Sequence, residues 1–244
     1  MNEVKRNRIM LIVVILFVSM ILQGCFSPNE VRKENKAAVR EGVLLVQSAI
    51  DEYYKQKKVL PILTSGMEVP RYEKFRIDLQ QLKRQQFISE IPRSAFEEGG
   101  TGYYLIINEE TDPTVRIMDL KVSQRVNDVQ MKLSTMKSLP KGQLLYPGFY
   151  TVDEQALDLG PTHAVNPFSG QPLRLMMDEV GNVYVDYATE IMQLVERTNK
   201  KPTGKETDLR PLLTEESFYV PVKSVPYVWK DNAPWPVAEQ TTNK

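Results

Sequence analysis

Two Leu-Pro dipeptides, Leu60-Pro61 and Leu139-Pro140, each close a stretch of helical apolar periodicity. Proline removes a backbone donor and pushes the residue before it out of the α region, so each pair marks a point where a helix must stop. Ahead of the first pair, Val39, Val43, Val46, Ile50 and Tyr53 recur in steps of four and three, which buries one face of a helix. Ser27 as N-cap, Pro28 at the first helical position and Glu30 closing a capping box mark its start. Ahead of the second pair, Val126, Val129, Leu133 and Met136 keep helical spacing.

Between the two stops, residues 72–88 read as a further helix, with Phe75, Leu79 and Leu82 on one side and Ile91-Pro92 beyond it. "GYYLIINEETDPTVRIMDLKV" then reads as two strands, residues 103–108 and 115–122, around a polar turn. After the second stop the chain repeats this grammar. Ile77-Asp78 is matched by Val152-Asp153, "IPRSAF" by "AVNPFSG", "LIINEE" by "LRLMMDE" and "VRIMDLKV" by "VYVDYATE", and the offset between matched positions shrinks along the chain. Two explanations stay open: a duplicated unit with small deletions, or one α+β domain that reuses helix, proline stop and hairpin. The expected class is α+β, with helices packed on short antiparallel hairpins. The expected division is a signal peptide over 1–24, a helix-plus-hairpin half over 25–123, a second helix-plus-hairpin half over 124–197, duplicated on the first of these explanations, and an extended Pro/aromatic arm over 198–244.

The N-terminus carries the most specific motif. Lys5, Arg6 and Arg8 precede an apolar run over residues 9–22, which is short of the ~20 residues a spanning helix needs. A positive region, a short apolar core and small residues after it make an export signal. Leu22-Gln23-Gly24-Cys25 resembles the lipobox of bacterial lipoproteins, with Gln23 at the most permissive of the four positions. The resemblance implies diacylglycerol on the sulfur of Cys25, the only cysteine, and cleavage just before it. Two acyl chains anchor stably where one is marginal, so the protein would be held at the outer face of the cell membrane without a spanning helix.

Other resemblances are broader. "VQSAIDEYYKQKKVLP" followed by "LKRQQFISEIPRSAF" is similar to the end of the N-terminal helix of type IV pilins and pseudopilins and the segment after it. The pilin cleavage site is absent here, and a likeness of fold does not carry function. Over its full length the chain resembles the uncharacterised lipoproteins of spore-forming Gram-positive bacteria, which implies attachment to a membrane and no particular activity.

Evidence for chemistry is thin. Acidic and basic side chains balance at 31 each, so no nucleic-acid footprint is expected. His163 is the only histidine, and with a lipidated Cys25 it makes no typical zinc site. A triad would have to combine it with Ser169 and Asp158, without a nucleophile elbow around that serine. Gly99, Gly100 and Gly102 precede a strand rather than a helix and read as a turn, not a phosphate loop. Residues 178–182, "DEVGN", lack calcium-loop spacing and read as a hairpin turn with Gly181 or Asn182 at positive φ. The pairs Glu97-Glu98 and Glu109-Glu110 read as solvated turns. No cofactor and no enzymatic activity are expected.

Six of the sixteen prolines and both tryptophans fall after residue 198. "FYVPVKSVPYVWKDNAPWP" is too aromatic for a solvated linker, so it either wraps back over its own domain or docks an envelope protein in extended geometry. Tyr219, Tyr227, Trp229 and Trp235 are the candidate contacts. The expected function is a non-enzymatic assembly or accessory protein at the envelope. Solute capture for a transporter ranks second, and cell-wall hydrolysis through Glu97, Glu98 or His163 third.

Overall fold

The computed structural model describes residues 28–66, 68–160, 162, 164–199, 202 and 207–238, with side chains from residue 36 onward. The chain divides into two units, Met1–Ala37 and Ala38–Lys244, and the architecture below is that of the second. It is a mixed α+β fold of helices on short antiparallel sheets, as expected.

Helix α1, Pro28–Lys57, buries Val39, Val43, Val46, Ile50 and Tyr53, the face its spacing demands. Beyond it, the single helix expected over residues 72–88 is replaced by two short ones, α2 (Arg71–Lys74) and α3 (Leu79–Arg84). Residues 75–77 between them are extended, because their backbone pairs with strand β1, Gly102–Ile107. The Ile106 amide donates to the Phe75 carbonyl and the Ile77 amide to the Tyr104 carbonyl, both at 2.9 Å. Two sheet hydrogen bonds outweigh a weak local helix preference. Asp78 then restarts the helix by accepting from the Gln81 amide at 2.8 Å.

β1 pairs antiparallel with β2, Thr114–Asp119. The second strand stops short of the expected Val122, since Asp119 Oδ1 accepts the amides of Lys121 and Val122 and opens helix α4, Leu120–Ser134. α4 buries Val122, Val126, Val129 and Leu133, whereas Met136 falls beyond its end and is exposed. Four antiparallel strands follow in sheet order β3 (Lys141–Tyr146), β4 (Phe149–Val152), β5 (Leu175–Asp178) and β6 (Val183–Val185). The β3–β4 hairpin was not anticipated from the sequence, because β3 faces solvent almost throughout and shows no alternation. α5, Ala188–Thr198, comes next.

The two stretches share several local contacts. After each Leu-Pro stop the backbone makes the same tight turn, Ile62 amide to Leu60 carbonyl at 3.0 Å and Lys141 amide to Leu139 carbonyl at 2.9 Å. The proline carbonyls then accept from Asp78 at 2.8 Å and Asp153 at 3.5 Å. Each hairpin ends in an aspartate that accepts amides of the following helix, Asp119 before α4 and Asp186, through Ala188, before α5.

The C-terminal segment is not an extended arm. It forms α6 (Arg210–Glu216) and the hairpin of β7 (Tyr227–Lys230) with β8 (Ala233–Pro236). Between them, residues 218–223 lie along the free edges of both sheets. The Ile117 amide of β2 donates to the Phe218 carbonyl at 2.8 Å, the Val220 amide returns to Ile117 at 3.0 Å, and the Val185 amide of β6 reaches the Lys223 carbonyl at 2.8 Å. Val220, Val222 and Val225 are buried beneath this run. One apolar cluster gathers around α1, α3 and the β1–β2 hairpin, and a second around α4, β4 to β6, α5 and the C-terminal valines.

Candidate binding surface

The four aromatics singled out in the C-terminal segment separate by burial. Tyr227 has no exposed surface, which corrects its expected role as a contact. Its hydroxyl accepts from the Tyr187 amide at 2.9 Å and donates to Asp186 Oδ1 at 3.2 Å. Asp186 is itself buried, and it also takes the Ala188 amide at 3.0 Å, Arg174 Nη2 at 3.1 Å and the Tyr146 hydroxyl at 3.4 Å. Such a carboxylate is tolerable because its lone pairs are satisfied and a guanidinium balances its charge. Burial, reinforced by Asp186, pushes the Tyr146 phenol up to about 12 and the Tyr227 phenol well above its ordinary value. Tyr219 and Trp229 are half-buried and pack against the first and second core.

Trp235 is different. It is half-buried on the β7–β8 hairpin, its ring is edge-on to Tyr146 at 6.0 Å, and Lys230 Nζ stands 5.0 Å over it. Tyr146 is the last residue of β3, so this ring pair joins the C-terminal hairpin to the outermost strand of the four-stranded sheet. That strand is bare. Residues 141–145 are all exposed, Leu144 by 63% and Leu145 by 39%. β3 is held to β4 through an irregular register, Lys141 opposite Val152, Leu144 opposite Tyr150 and Tyr146 opposite Phe149. The signal available in the sequence was the pair of adjacent leucines, Leu144 and Leu145, a few residues after the Leu139-Pro140 stop.

The remaining expected positions fall elsewhere. Leu22, Gln23, Gly24 and Cys25 lie outside the described residues, as does His163. Ser169 donates to the buried Glu190 Oε1 at 2.9 Å, so it ties its loop to α5. Glu97 and Glu98 are exposed on a single 3₁₀ turn closed by Gly99 at φ 81°. Asp178 binds the amides of Val180 and Asn182, with Gly181 at φ 93°, and turns the β5–β6 hairpin as expected. Among the described residues no group of His, Cys, Asp or Glu is placed to hold a metal, and no helix is long and apolar enough to cross a membrane. Two open clefts, of about 440 and 490 Å³, carry both signs of charge. One runs along α1 by Leu45, Glu52 and Lys55, the other lies between α2 and the β1–β2 turn by Arg71, Lys74 and Glu109.

Residues 39–119 match the family described as the YphF family N-terminal domain. The matched stretch runs from the first buried valine of α1 to the capping Asp119, so it covers the first of the two helix-and-hairpin stretches. No curated protein and no solved structure matches the chain.

Proposed function

We propose that this chain is a non-enzymatic accessory protein of the cell envelope, anchored by lipid on Cys25 at the outer face of the membrane, which binds a protein partner through β3 and the Tyr146–Trp235 pair. The observation that carries the binding reading is the exposed apolar edge strand with an aromatic cluster at its end. Aromatic anchors beside exposed aliphatics are the usual centre of a protein interface. The anchoring reading is supported by the lipobox-like Leu22-Gln23-Gly24-Cys25 and the short apolar run before it. Binding is favoured over hydrolysis because Ser169 is committed to Glu190 and the paired glutamates sit in a solvated turn.

Two measurements test it. Cys25→Ala should abolish incorporation of labelled fatty acid and release the protein from membranes, and continued labelling would sink the anchor. In-cell crosslinking of the anchored protein should capture a defined envelope protein that is lost on Trp235→Ala, a substitution of a half-buried side chain that leaves both cores in place. Capture unaffected by that change would remove this surface from the proposal.

A further inference from the structure

Among the described residues, the sheet β3-β4-β5-β6 has one edge that hydrogen-bonds to chain outside the sheet and one, β3, with no strand against it. β6 is closed by the Lys223 carbonyl, as β2 is closed by Phe218 and Val220. β3 is the other edge, six residues long, with residues 141–145 exposed. A long edge with exposed leucines is a template for another strand, and proteins ordinarily blunt it with charge, proline or brevity.

The same molecule shows the blunted version. In the first stretch the chain also leaves a Leu-Pro stop, makes the same tight turn and pairs back, yet only Ile62 forms a bridge, directly after Pro61. The corresponding second-stretch segment extends to six residues and places Leu144 and Leu145 in solvent. Two constructions of the same kind thus differ at the point where one of them exposes an edge.

The molecule also shows what covers such edges. Tyr219 bridges Ile117 of β2 in parallel, the chain then turns at Val222–Lys223, where Lys223 has φ 55° and its carbonyl accepts from Val185 of β6, and Val220 and Val222 are buried beneath it. Charge adds a direction. Lys137 and Lys141 stand exposed at the entrance to β3, and no acid occurs from residue 137 to 146. We infer that β3 takes up, by strand addition, an extended aliphatic segment of a partner protein that carries an acidic residue at the end lying beside Lys141. Main-chain hydrogen bonds would supply the affinity and the leucines the choice of side chain. This deepens the binding reading above and rests on it only for the partner's place in the envelope.

The test is hydrogen exchange on the full-length lipidated protein in nanodiscs, with a short synthetic peptide of alternating Val and Thr flanked by Glu as probe. Exchange of the amides of β3 should slow by about tenfold or more at saturating peptide. The same peptide with alternate backbone nitrogens methylated keeps the side chains but cannot pair, and it should give no slowing. L144K/L145K, two changes at exposed positions, should lose the effect at an unchanged melting temperature. No slowing in β3, equal slowing by the methylated peptide, or protection that grows with protein concentration without peptide would overturn the inference, the last by making a second copy the occupant. Repeating the measurement on Cys25→Ala separates the two readings, because strand addition at β3 does not require the anchor.

Discussion

The amide of Val185 in β6 donates to the carbonyl of Lys223 at 2.8 Å, and with it a proline-rich segment becomes part of the sheet system. A few residues earlier the same segment pairs with Ile117 of β2. It therefore works as a splint between two hairpins that are far apart in sequence.

Removing everything after Glu216 should bare the edges of β2 and β6 and strip Val220, Val222, Val225 and Tyr227 from the core. The truncated chain is expected to aggregate, read as loss of the monomer peak in size exclusion. A soluble monomer with an unchanged thermal melt would show that the splint is dispensable. The milder Val222→Ala removes two fully buried methyl groups and should cost about 2 kcal/mol in a denaturant titration.

Gly42 lies inside α1, where glycine is normally unfavourable by about 1 kcal/mol relative to alanine. Here a Cβ would run into the Tyr104 hydroxyl and stand 2.9 Å from Pro92 Cβ and 3.0 Å from Ser94 Oγ. Gly42→Ala is expected to destabilise by about 1–3 kcal/mol despite its better propensity. Adding Tyr104→Phe removes the obstructing oxygen, so the double variant should recover part of the loss. Stabilisation by Gly42→Ala alone would contradict the close approach of α1 to β1.

Asp186→Ala should be among the most damaging single changes. It strands the Ala188 amide and the Tyr227 hydroxyl in the interior and unpairs Arg174. A loss of about 3 kcal/mol is expected by equilibrium unfolding, with α5 the first helix to lose exchange protection. Asp186→Asn keeps an acceptor for Ala188 and should cost less.

Alkaline pH should weaken the fold in a narrow window. Burial raises the phenols of Tyr72, Tyr104, Tyr146 and Tyr219 from 10.0 to about 12, and those of Tyr187 and Tyr227 in the same direction. The unfolded chain loses these protons first, so the contribution is complete below pH 10 and disappears as the pH rises towards 12. The melting temperature should fall across that interval, with tyrosinate absorbance appearing together with unfolding. Ionisation completed near pH 10 in a still-folded protein would show that the phenols are open to water.

What could be read in advance was local. The buried face of α1, the Leu-Pro stops, the β1–β2 hairpin and the turn at Gly181 follow from side-chain period and backbone sterics within a few residues. Residues 75–77 have a helix-like pattern that is overridden by hydrogen bonds to β1, some thirty residues on. The candidate surface was half legible. The aromatic and proline content of the tail points to Trp235 but not to the burial of Tyr227, and β3 leaves no mark in the sequence because an exposed strand has no alternation.

By itself the sequence determined where the apolar helical stretches are cut off, which face of α1 is buried and where the lipobox-like cysteine stands. These depend on one residue and its nearest neighbours. Only the tertiary structure decided that the proline-rich tail reaches two sheet edges and that no strand among the described residues lies against β3 on its outer side. A free edge is defined by the absence of a partner strand, and that partner is chosen by backbone groups brought together across the fold rather than by any side chain in the strand.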